Sequence, residues 1–527
     1  MLTNLNPETI AAAIPAPDSA TPPCPHFGPC GGCQLQHLTY PAQLALKAAQ
    51  LHTLLDATGL ALPELQLHAS PPLAYRNRIR LTLAEVAGQL RAGYLSSAGA
   101  DAPEPIYEGV ISTEGGASAA VVERPPHFAR AATESRPTFL PITECPIAAP
   151  ILWRAAETLL ELVNQRSATW LERAPFTLDQ LELFTTPEDA PAEARLQISL
   201  FARTSAKTLP SRFRDELAAL CESLRLHVSA LVGAGIYLIP PRSARSRRVE
   251  QPRPGPTWGS PGLNYTVGTK DEVVILSAAQ NPRISSLPSP VPQPTTINLQ
   301  PATSYWVPRG AFFQVNRFLL PELLALVTSN RTGGLDRSRG DSQQGDDSSR
   351  GFLSRKTTLQ SGSSEPLNRG TGLAWDLYAG VGLFTSALAP HFAHITAVEI
   401  AEPSFTALTS SKLPNRHTVK ASTLDFLRAA VTQRDRPDLI VLDPPRTGAG
   451  PEVCALLAQI AAPTLIYVSC SPETLPADLT TLAASGYRVA ELHLLDLFPQ
   501  TTHIETVAIL TRDSTFPAKR HADVVQS

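Results

Sequence analysis

The chain has 527 residues, of which 43% are hydrophobic and 17% charged, and its formal net charge is −3. This length accommodates about two to four domains, and the near-neutral charge excludes a global field that attracts nucleic acid, so any such binding needs a local basic patch. No stretch reaches the roughly 18 apolar residues of a membrane span, and the N-terminus lacks a signal-peptide pattern, which predicts a cytoplasmic protein without a membrane partner.

Cysteines are clustered near the N-terminus. Residues 1–23 are rich in Ala and Pro and are predicted to be a disordered tail. Cys24, Cys30 and Cys33 follow within ten residues, and Cys145 stands farther along, directly before a proline. In a cytosolic chain this clustering indicates a metal site rather than disulfides. Four thiolates suit either zinc or an iron–sulfur cluster, and the spacing alone leaves both open.

The next part of the chain mixes helical and strand patterns. A helix is predicted at about 41–58, and short strand-like runs alternate with helical ones from about 73 to 276. Arg76, Arg78 and Arg80 alternate along one predicted strand. They indicate either a positive stripe suited to phosphates and splayed bases or a solvated strand face. Examples of the predicted strands are 79–83, 196–201 and 272–276.

The C-terminal part has a different pattern. Residues 329–370 are mostly Ser, Gly, Arg and Asp, and they are predicted to be disordered because they bury too little apolar surface to offset ordering entropy. From residue 373 onward, apolar strands alternate with helical segments, which predicts a mostly parallel α/β sheet. These strands are predicted at 374–377, 394–399, 439–443, 464–470, 488–496 and 504–510.

A glycine turn follows the first of these strands. Gly380-Val381-Gly382 lies between the strand and a predicted helix at 385–389, and such glycines let the backbone approach a ligand. Glu399 ends the next strand, from where a carboxylate can accept hydrogen bonds from a ribose diol. A dehydrogenase and an S-adenosylmethionine methyltransferase both fit. Thr385 and Ser386 stand where a dehydrogenase usually has a third glycine, which favours the methyltransferase.

Three further positions carry reactive groups. Asp443 ends a buried strand, at the edge where open α/β sheets bind ligands, and two prolines stiffen its loop. Cys470 ends another strand before an apparent helix start at Ser471-Pro472, a location that lowers a thiol pKa and favours the nucleophilic thiolate. Glu505 shares a strand face with apolar residues, and partial desolvation there raises the pKa of a carboxyl toward that of a general base. Taken singly, Cys470 also fits a small core residue and Glu505 a solvated strand edge.

Together these blocks resemble the RNA 5-methyluridine methyltransferase family, in particular its iron–sulfur members that act on 23S ribosomal RNA. The resemblance spans roughly residues 24–512, and the matching pieces occur in the family's order. They are Cys24-x5-Cys30-x2-Cys33-Gln34, Tyr75–Arg80, Glu144–Ile147, Gly310–Asn316, Asp376–Phe384, Glu399, Asp443–Arg446, Ser469–Pro472 and Phe498–Glu505.

The resemblance implies a fold, cofactors and a chemistry. The expected fold is α/β, with a Rossmann-like methyltransferase domain, an α+β central RNA-binding domain and an N-terminal iron–sulfur loop. S-adenosyl-L-methionine and a 4Fe-4S cluster are the implied cofactors, the cluster being held by Cys24, Cys30, Cys33 and Cys145. The residues implied to bind S-adenosyl-L-methionine are Gln314, Tyr378, Glu399 and Asp443.

The implied reaction is methylation of C5 of a uridine in RNA by a monomer. Cys470 is expected to add to C6 and Glu505 to remove the C5 proton, while Phe312 is a candidate stacking surface for the flipped base. The expected substrate is 23S ribosomal RNA. The alternatives are transfer RNA, whose enzymes in this family typically lack the cysteines, and a non-catalytic RNA-binding assembly factor with the same fold.

The chain departs from the family pattern at two positions. Ser471 stands where Asn is common, and Leu383 stands where some members have a cofactor-binding Asn, so Leu383 is left out of the site. Only 23 residues precede Cys24, so we expect the small N-terminal β-barrel of related enzymes to be absent. The expected division is a tail (1–23), an iron–sulfur loop and helix (24–70), a central domain closing the cluster through Cys145 (71–300), a methyltransferase domain (301–328 and 371–513), a disordered insertion (329–370) and a second tail (514–527).

Overall fold

The computed structural model describes residues 18–96, 138–166, 174–190, 192–241, 252–268, 303–329 and 372–513. Four predicted segments lie outside the described residues, namely the tail up to residue 17, the strand at 272–276, the insertion at 330–370 and the tail at 514–527. No helix in the described ranges is long and apolar enough to cross a membrane.

The described chain alternates helices and strands. The helices are α1 (Tyr40–Asp56), α2 (Pro150–Arg166), α3 (Arg212–His227), α4 (Leu320–Ser329), α5 (Leu383–Leu388), α6 (Glu402–Ser410), α7 (Thr423–Gln433), α8 (Gly450–Ile460) and α9 (Leu475–Ala483). The strands are β1 (Leu65–His68), β2 (Arg78–Val86), β3 (Gln89–Ser96), β4 (Thr138–Pro141), β5 (Thr177–Thr185), β6 (Leu196–Arg203), β7 (Leu231–Ile239), β8 (Arg253–Gly259), β9 (Gly262–Val267), β10 (Thr303–Pro308), β11 (Leu373–Leu377), β12 (His394–Val398), β13 (Arg416–Val419), β14 (Leu439–Leu442), β15 (Thr464–Ser469), β16 (Tyr487–Leu495) and β17 (Glu505–Arg512).

One sheet is built from the middle of the chain. Its strand order is β4-β3-β2-β5-β6-β7-β8, and only the β6–β7 pair is parallel within it. Helices α2 and α3 cover the sheet, and their buried apolar residues share one core with the strands. The prediction of an α+β arrangement in this region is confirmed.

The second sheet has the order β1-β16-β17-β15-β14-β11-β12-β13. Strand β17 is antiparallel to both neighbours, and the other pairs are parallel. Apolar cores lie on both faces, which is why β14 reads as an unbroken Leu-Ile-Val-Leu run. The predicted mostly parallel α/β sheet is confirmed, and the six predicted strands each begin and end within two residues of an observed strand, whereas β13 has no counterpart among the predicted strands.

The two regions are joined by elements that cross the predicted boundaries. Strand β1 pairs with β16, and Leu51 and Leu55 of α1 pack into the core of the second sheet. Strands β9 and β10 pair with each other and contribute to the other core of that sheet. The division into domains stays a prediction, to which the structure adds that segment 24–70 supplies a strand and a helix to the second sheet.

The arginines of β2 do not form an open positive stripe. Arg80 Nη2 lies 2.7 Å from Glu182 Oε2 on β5, and Arg78 Nη1 lies 3.6 Å from Oε1 of the same carboxylate. Arg78 also donates to the carbonyl of Ala311 at 2.9 Å. Although burial opposes it, these two guanidinium groups hold the pKa of Glu182 below its ordinary value. The prediction of an open stripe is wrong, because Arg76 is buried and Arg78 and Arg80 both pair with a carboxylate from a strand distant in sequence.

Candidate active site

The ends of three adjacent parallel strands bring predicted cofactor residues to one edge of the second sheet. The last residues of β11, β12 and β14 are paired in register across the sheet. Tyr378, Glu399 and Asp443 each follow directly after one of these strands. The chain continues from β11 to β12 on one side, whereas β14 lies on the other side of β11, so the strand order reverses at this point. Open α/β sheets form their ligand crevice at such a reversal.

Cys470 and Glu505 are brought together by the antiparallel pairing of β15 with β17. The register runs through Val468 and Val507 to Ser469 and Thr506, so Cys470 and Glu505 are the next two residues opposite each other. The thiol is half-buried, whereas Glu505 is only 2% exposed. Two groups distant in sequence therefore occupy one point at the sheet edge.

The electrostatic setting of Cys470 differs from the prediction. Burial raises the pKa of the thiol, Glu505 and Asp443 raise it further, and Arg446 opposes them. Helix α9 begins at Leu475 rather than directly after the cysteine, so its amino end lies too far along the chain to favour the thiolate. The prediction of a lowered thiol pKa is wrong, because desolvation and two carboxyls outweigh one guanidinium.

The carboxyls of the site are strongly desolvated. Burial raises the pKa of Glu505 well above its ordinary value, and the Asp443 carboxyl adds to the shift. Burial likewise raises the pKa of Asp443 to about 7, with a contribution from Asp376. Glu505 Oε1 is buried and has no hydrogen-bond partner among the described residues. The predicted desolvation of Glu505 is confirmed, and the strand-edge alternative is wrong because β17 lies between two strands.

Asp376 is a site residue to which the sequence patterns assign no role. Its Oδ2 accepts hydrogen bonds from Thr385 N at 2.7 Å and from Thr385 Oγ1 at 2.5 Å, which ties β11 to the start of α5 across the glycine turn. Its Oδ1 is buried without a partner in the described part of the chain. Burial raises the pKa of Asp376 to about 7. The signal that could have identified it is its place on the strand immediately before the Gly-x-Gly turn.

The glycine turn forms an open cradle beside Glu399. Gly380 has a φ of +57°, and a Cβ added there would meet no atom within 4 Å, so the space next to its backbone is free. Glu399 Oε2 accepts from Gly380 N at 2.8 Å, and Oε1 accepts from Ala401 N at 2.5 Å. Two amides thus fix the carboxylate while each oxygen keeps a further lone pair for a hydroxyl. This arrangement fits an adenosyl ligand.

Segment 310–316 carries the predicted cofactor residue Gln314 and the candidate stacking residue Phe312. Gln314 is buried, and its backbone carbonyl accepts a hydrogen bond from Asn77 Nδ2 at 3.0 Å. The structure shows no hydrogen bond between the Gln314 side chain and the other site residues that it describes. Phe312 is 59% exposed, although its neighbour Phe313 is buried in the core of the second sheet. An exposed aromatic ring held on a buried anchor is suited to stack on a base.

Asp478 connects the two loops that carry Asp443 and Cys470. This buried carboxylate of α9 accepts hydrogen bonds from Ala449 N at 2.8 Å, Gly450 N at 3.1 Å and the Tyr467 hydroxyl at 2.6 Å. The two amides close the loop after Asp443, and Tyr467 belongs to the strand that ends at Ser469. No sequence signal marks this aspartate, since it looks like an ordinary first-turn acidic residue.

The four clustered cysteines come together in the fold. Cys24, Cys30, Cys33 and Cys145 line one pocket with Arg76, and burial raises the pKa of each thiol, that of Cys33 to about 11. Within the described residues, no three His, Cys, Asp or Glu side chains are close enough to hold a metal ion as they stand. Cys221 and Cys454 are buried in the cores of the first and second sheets.

Comparison with known proteins finds similarity to RNA methyltransferases. A family model described as tRNA (Uracil-5-)-methyltransferase matches residues 364–513. The 23S rRNA (uracil(1939)-C(5))-methyltransferase RlmD of Chromohalobacter salexigens is 28% identical over 501 residues, which cover 95% of this chain and 78% of that protein. The 23S rRNA (uracil(747)-C(5))-methyltransferase RlmC of Yersinia pestis is 37% identical over 138 residues, which cover 26% of this chain and 36% of that protein.

A solved structure shares the fold over most of the chain. The crystal structure of Pyrococcus abyssi tRNA (uracil-54, C5)-methyltransferase, in complex with S-adenosyl-L-homocysteine, aligns with a TM-score of 0.53 and 19% identity. The alignment covers 91% of this chain and 86% of that chain. Family model, relatives and fold agree with the motifs, which confirms the enzyme class predicted from them. The chain is thus similar to RNA uracil-5-methyltransferases, most specifically over residues 364–513.

Proposed function

We propose that this enzyme transfers a methyl group from S-adenosyl-L-methionine to C5 of a specific uridine in 23S ribosomal RNA. The observation that carries the proposal is the opposition of Cys470 and Glu505 at the ends of β15 and β17, next to Asp443. C5 of uracil is a weak nucleophile that needs covalent activation at C6. A thiol and a carboxyl at one point supply both the addition and the later proton removal.

The first step is addition of Cys470 to the uracil. The target atom is hidden in stacked RNA, so the base must be flipped into the crevice, where Phe312 offers an exposed ring. Burial and two carboxyls disfavour a free thiolate, so we expect the thiol to pass its proton to the Asp443 carboxylate as the bond from Sγ to C6 forms. Glu505 stays unprotonated for the later step, and the sulfur takes its proton back when it leaves C6. Arg446 opposes the carboxyls and stabilises the sulfur as negative charge develops.

The remaining steps transfer the methyl group and release the enzyme. S-adenosyl-L-methionine, when bound, supplies the methyl group to the enolate-like C5. Glu505 then removes the proton from C5, the C5–H electron pair restores the C5–C6 double bond, and the bond from C6 to Cys470 Sγ breaks. A buried carboxylate with a raised pKa is suited to this role, because it accepts a proton at neutral pH.

Gln314, Tyr378, Glu399 and Asp443 are the proposed S-adenosyl-L-methionine residues. The last three stand at adjacent strand ends beside the open glycine cradle, and Glu399 is oriented by two backbone amides. Tyr378 has a φ of +62°, in the left-handed region that residues other than glycine occupy infrequently.

Cys24, Cys30, Cys33 and Cys145 are the proposed ligands of a 4Fe-4S cluster. A single zinc ion needs four sulfurs at about 2.3 Å, which draws them almost into contact. Four iron atoms between the thiolates keep them farther apart. The four thiols share one pocket, and the resemblance of their spacing to that of the iron–sulfur members favours the cluster over a single zinc ion. Bound there, it would link the N-terminal loop to the segment of Cys145.

Ribosomal RNA is favoured over transfer RNA by the cysteines, which resemble those of the iron–sulfur members, and by the similarity to a 23S rRNA enzyme over 95% of the chain. One chain carries the proposed nucleophile, base and cofactor residues, so we propose a cytoplasmic monomer. A non-catalytic RNA-binding protein would need neither the buried thiol nor the carboxyl opposite it.

Replacing Cys470 with Ala should lower methyl transfer by a factor of at least about 10³, because the covalent activation is lost, and should leave S-adenosyl-L-methionine affinity within about threefold.

In the Glu505→Gln enzyme, Cys470 should still add to C6 but elimination should be slow, so a covalent RNA–protein adduct should appear on a denaturing gel. Exposed Glu473 is the matched control, and Glu473→Gln should behave as the unmodified enzyme. Full methylation by Cys470→Ala would contradict the mechanism.

The rate should rise with pH. The pKa of Asp443 is raised to about 7 and that of Glu505 is raised well above its ordinary value, so the fraction of carboxylate that can accept a proton grows as pH increases. Thiol ionisation changes the rate in the same direction. Single-turnover rates between about pH 6 and pH 9 measure this, and a profile that is flat or falls with pH would rule out a buried carboxyl base.

Anaerobically purified protein should contain about four iron and four sulfide per chain and no zinc. Cys145→Ser should lose the iron, because only this residue closes the cluster from outside the N-terminal loop. Cys221→Ala, in the core of the first sheet, should retain it. A colourless protein with one zinc per chain would overturn the cluster proposal.

Methylation of 23S ribosomal RNA should exceed that of transfer RNA by at least about 10²-fold in kcat/KM, since the wrong substrate lacks the contacts that drive base flipping. Purified RNAs from a strain lacking the enzyme, followed by mapping of 5-methyluridine, provide the test. Faster methylation of transfer RNA would contradict the proposal and identify transfer RNA as the substrate.

A further inference from the structure

We propose that Gln43 and Gln500 act as positioning residues for the base Glu505. Residues 496–504, here named the base loop, connect β16 with β17 and end directly before Glu505. The hydrogen bonds between the side chain of Gln43 and Gln500, here named the amide clamp, fix this loop from the N-terminal segment. The inference rests on the proposed function, because it assumes that Glu505 removes the C5 proton.

In the amide clamp, the side-chain amide of Gln43 both donates a hydrogen bond to Gln500 and accepts one from it. Gln43 Nε2 donates to Gln500 Oε1 at 3.0 Å, and Gln500 N donates to Gln43 Oε1 at 2.9 Å. Gln43 is 1% exposed and Gln500 is 6% exposed. Buried amides without partners are costly, so this reciprocal pairing specifies one position of the loop relative to α1.

The backbone of Gln500 is held from the cysteine loop as well. Its carbonyl oxygen accepts hydrogen bonds from both Gln34 N and Leu35 N, each at 3.0 Å. Gln34 follows Cys33 directly in the chain. Every backbone polar group of Gln500 is therefore bound by residues from segment 34–43, which precedes the base loop by more than 450 positions.

The conformation of Gln500 shows that these contacts impose a shape on the loop. Its φ is +70°, in the left-handed region that residues other than glycine seldom occupy. Such backbone strain persists only where surrounding contacts determine the conformation, and it concentrates at functional sites. The clamp therefore selects a base-loop geometry that the chain would not adopt by itself.

Two further contacts anchor the start of the base loop. Lys47 Nζ lies 2.6 Å from Asp496 Oδ1 and donates to the carbonyl of Phe498 at 3.0 Å, and both charged side chains are buried. The Tyr75 hydroxyl donates to the carbonyl of Pro499 at 3.0 Å. With these anchors in place, the clamp on Gln500 sets the path of the last residues before Glu505.

The inference assigns a specific kinetic effect to the clamp. Glu505 is needed only after methyl transfer, so a shifted base should slow elimination and leave addition and S-adenosyl-L-methionine binding intact. The inference also connects the loop of Cys24, Cys30 and Cys33 with catalysis, because Gln34 and Leu35 directly after it supply the two backbone amides that hold the Gln500 carbonyl.

Gln43→Met tests the clamp, because Met is similar in length and fills the space without the amide. We expect kcat to fall about tenfold or more, KM for RNA and S-adenosyl-L-methionine affinity to stay within about twofold, and a covalent adduct to accumulate during turnover. Gln50 lies exposed on the same helix, so Gln50→Met is the matched control and should show the kinetics of the unmodified enzyme. Iron content should be equal in all three proteins.

Two results would overturn the inference. One is a folded Gln43→Met enzyme with unchanged kcat and no adduct, and the other is loss of activity in proportion to loss of iron, which would assign Gln43 to the cysteine pocket. If Gln43→Met does not fold, Gln500→Gly decides, because glycine adopts a positive φ freely and removes only the side-chain half of the clamp. It should lower kcat at least about threefold with adduct accumulation, and unchanged kinetics would refute the clamp.

Failure of the proposed function gives a different pattern. If Glu505→Gln neither traps an adduct nor slows methylation, Glu505 is not the base, whatever Gln43→Met does. If Glu505→Gln traps the adduct and Gln43→Met behaves as the unmodified enzyme, only the positioning role is lost.

Discussion

The antiparallel placement of β17 between β15 and β16 determines where chemistry can occur in this protein. In a sheet that is otherwise parallel, an antiparallel strand begins at the edge where its neighbours end. Glu505, the first residue of β17, therefore stands opposite Cys470, which follows the last residue of β15. A parallel strand would place its first residue at the far edge, and a register slip of one residue would turn Glu505 to the other face of the sheet.

This geometry buries several acidic groups, which disfavours their ionised forms and also raises their pKa values toward the range in which they can exchange protons with a substrate. The buried carboxyls of Asp443 and Glu505 act on each other and on the Cys470 thiol, Asp376 acts on Asp443, and Arg446 is the opposing charge. Burial disfavours the negative charge of each of these acidic groups and raises its pKa. A site of this kind exchanges protons with a substrate without needing a permanently charged nucleophile. The surrounding cores and the hydrogen bonds of Asp478 and Thr385 hold the groups in place despite the cost.

Much of this arrangement can be predicted from local sequence. Apolar runs that end in a polar residue identify the strands that carry Glu399, Asp443 and Cys470, because buried parallel strands have a distinctive composition and their ends meet at one edge. The helix start after Cys470 is mispredicted because Pro472 and Pro476, four positions apart, both mark the first turn of a helix. In the structure the helix begins at Leu475, so Pro476 is the proline that lies in its first turn. That difference, together with desolvation, reverses the expected direction of the thiol pKa.

Other features depend on pairs that no local pattern reveals. Glu182 pairs with both Arg78 and Arg80 from a strand about a hundred residues away, so alternating arginines that suggest a binding surface are engaged within the fold. Gln43 looks like an ordinary helical glutamine, and only the folded chain brings it to Gln500. Long-range polar pairs of this kind are set by topology, and topology follows from the whole core rather than from any one segment.

The central claim is that the Cys470 thiol, and no other, attacks C6 of the uridine that Glu505 later deprotonates. RNA carrying 5-fluorouridine tests it most directly, because fluorine at C5 cannot leave as a proton and the covalent intermediate is trapped after methyl transfer. Mass spectrometry of the trapped peptide should find one methylated fluorouridine attached to Cys470. Attachment to another cysteine, or methylation without any trapped species, would contradict the account.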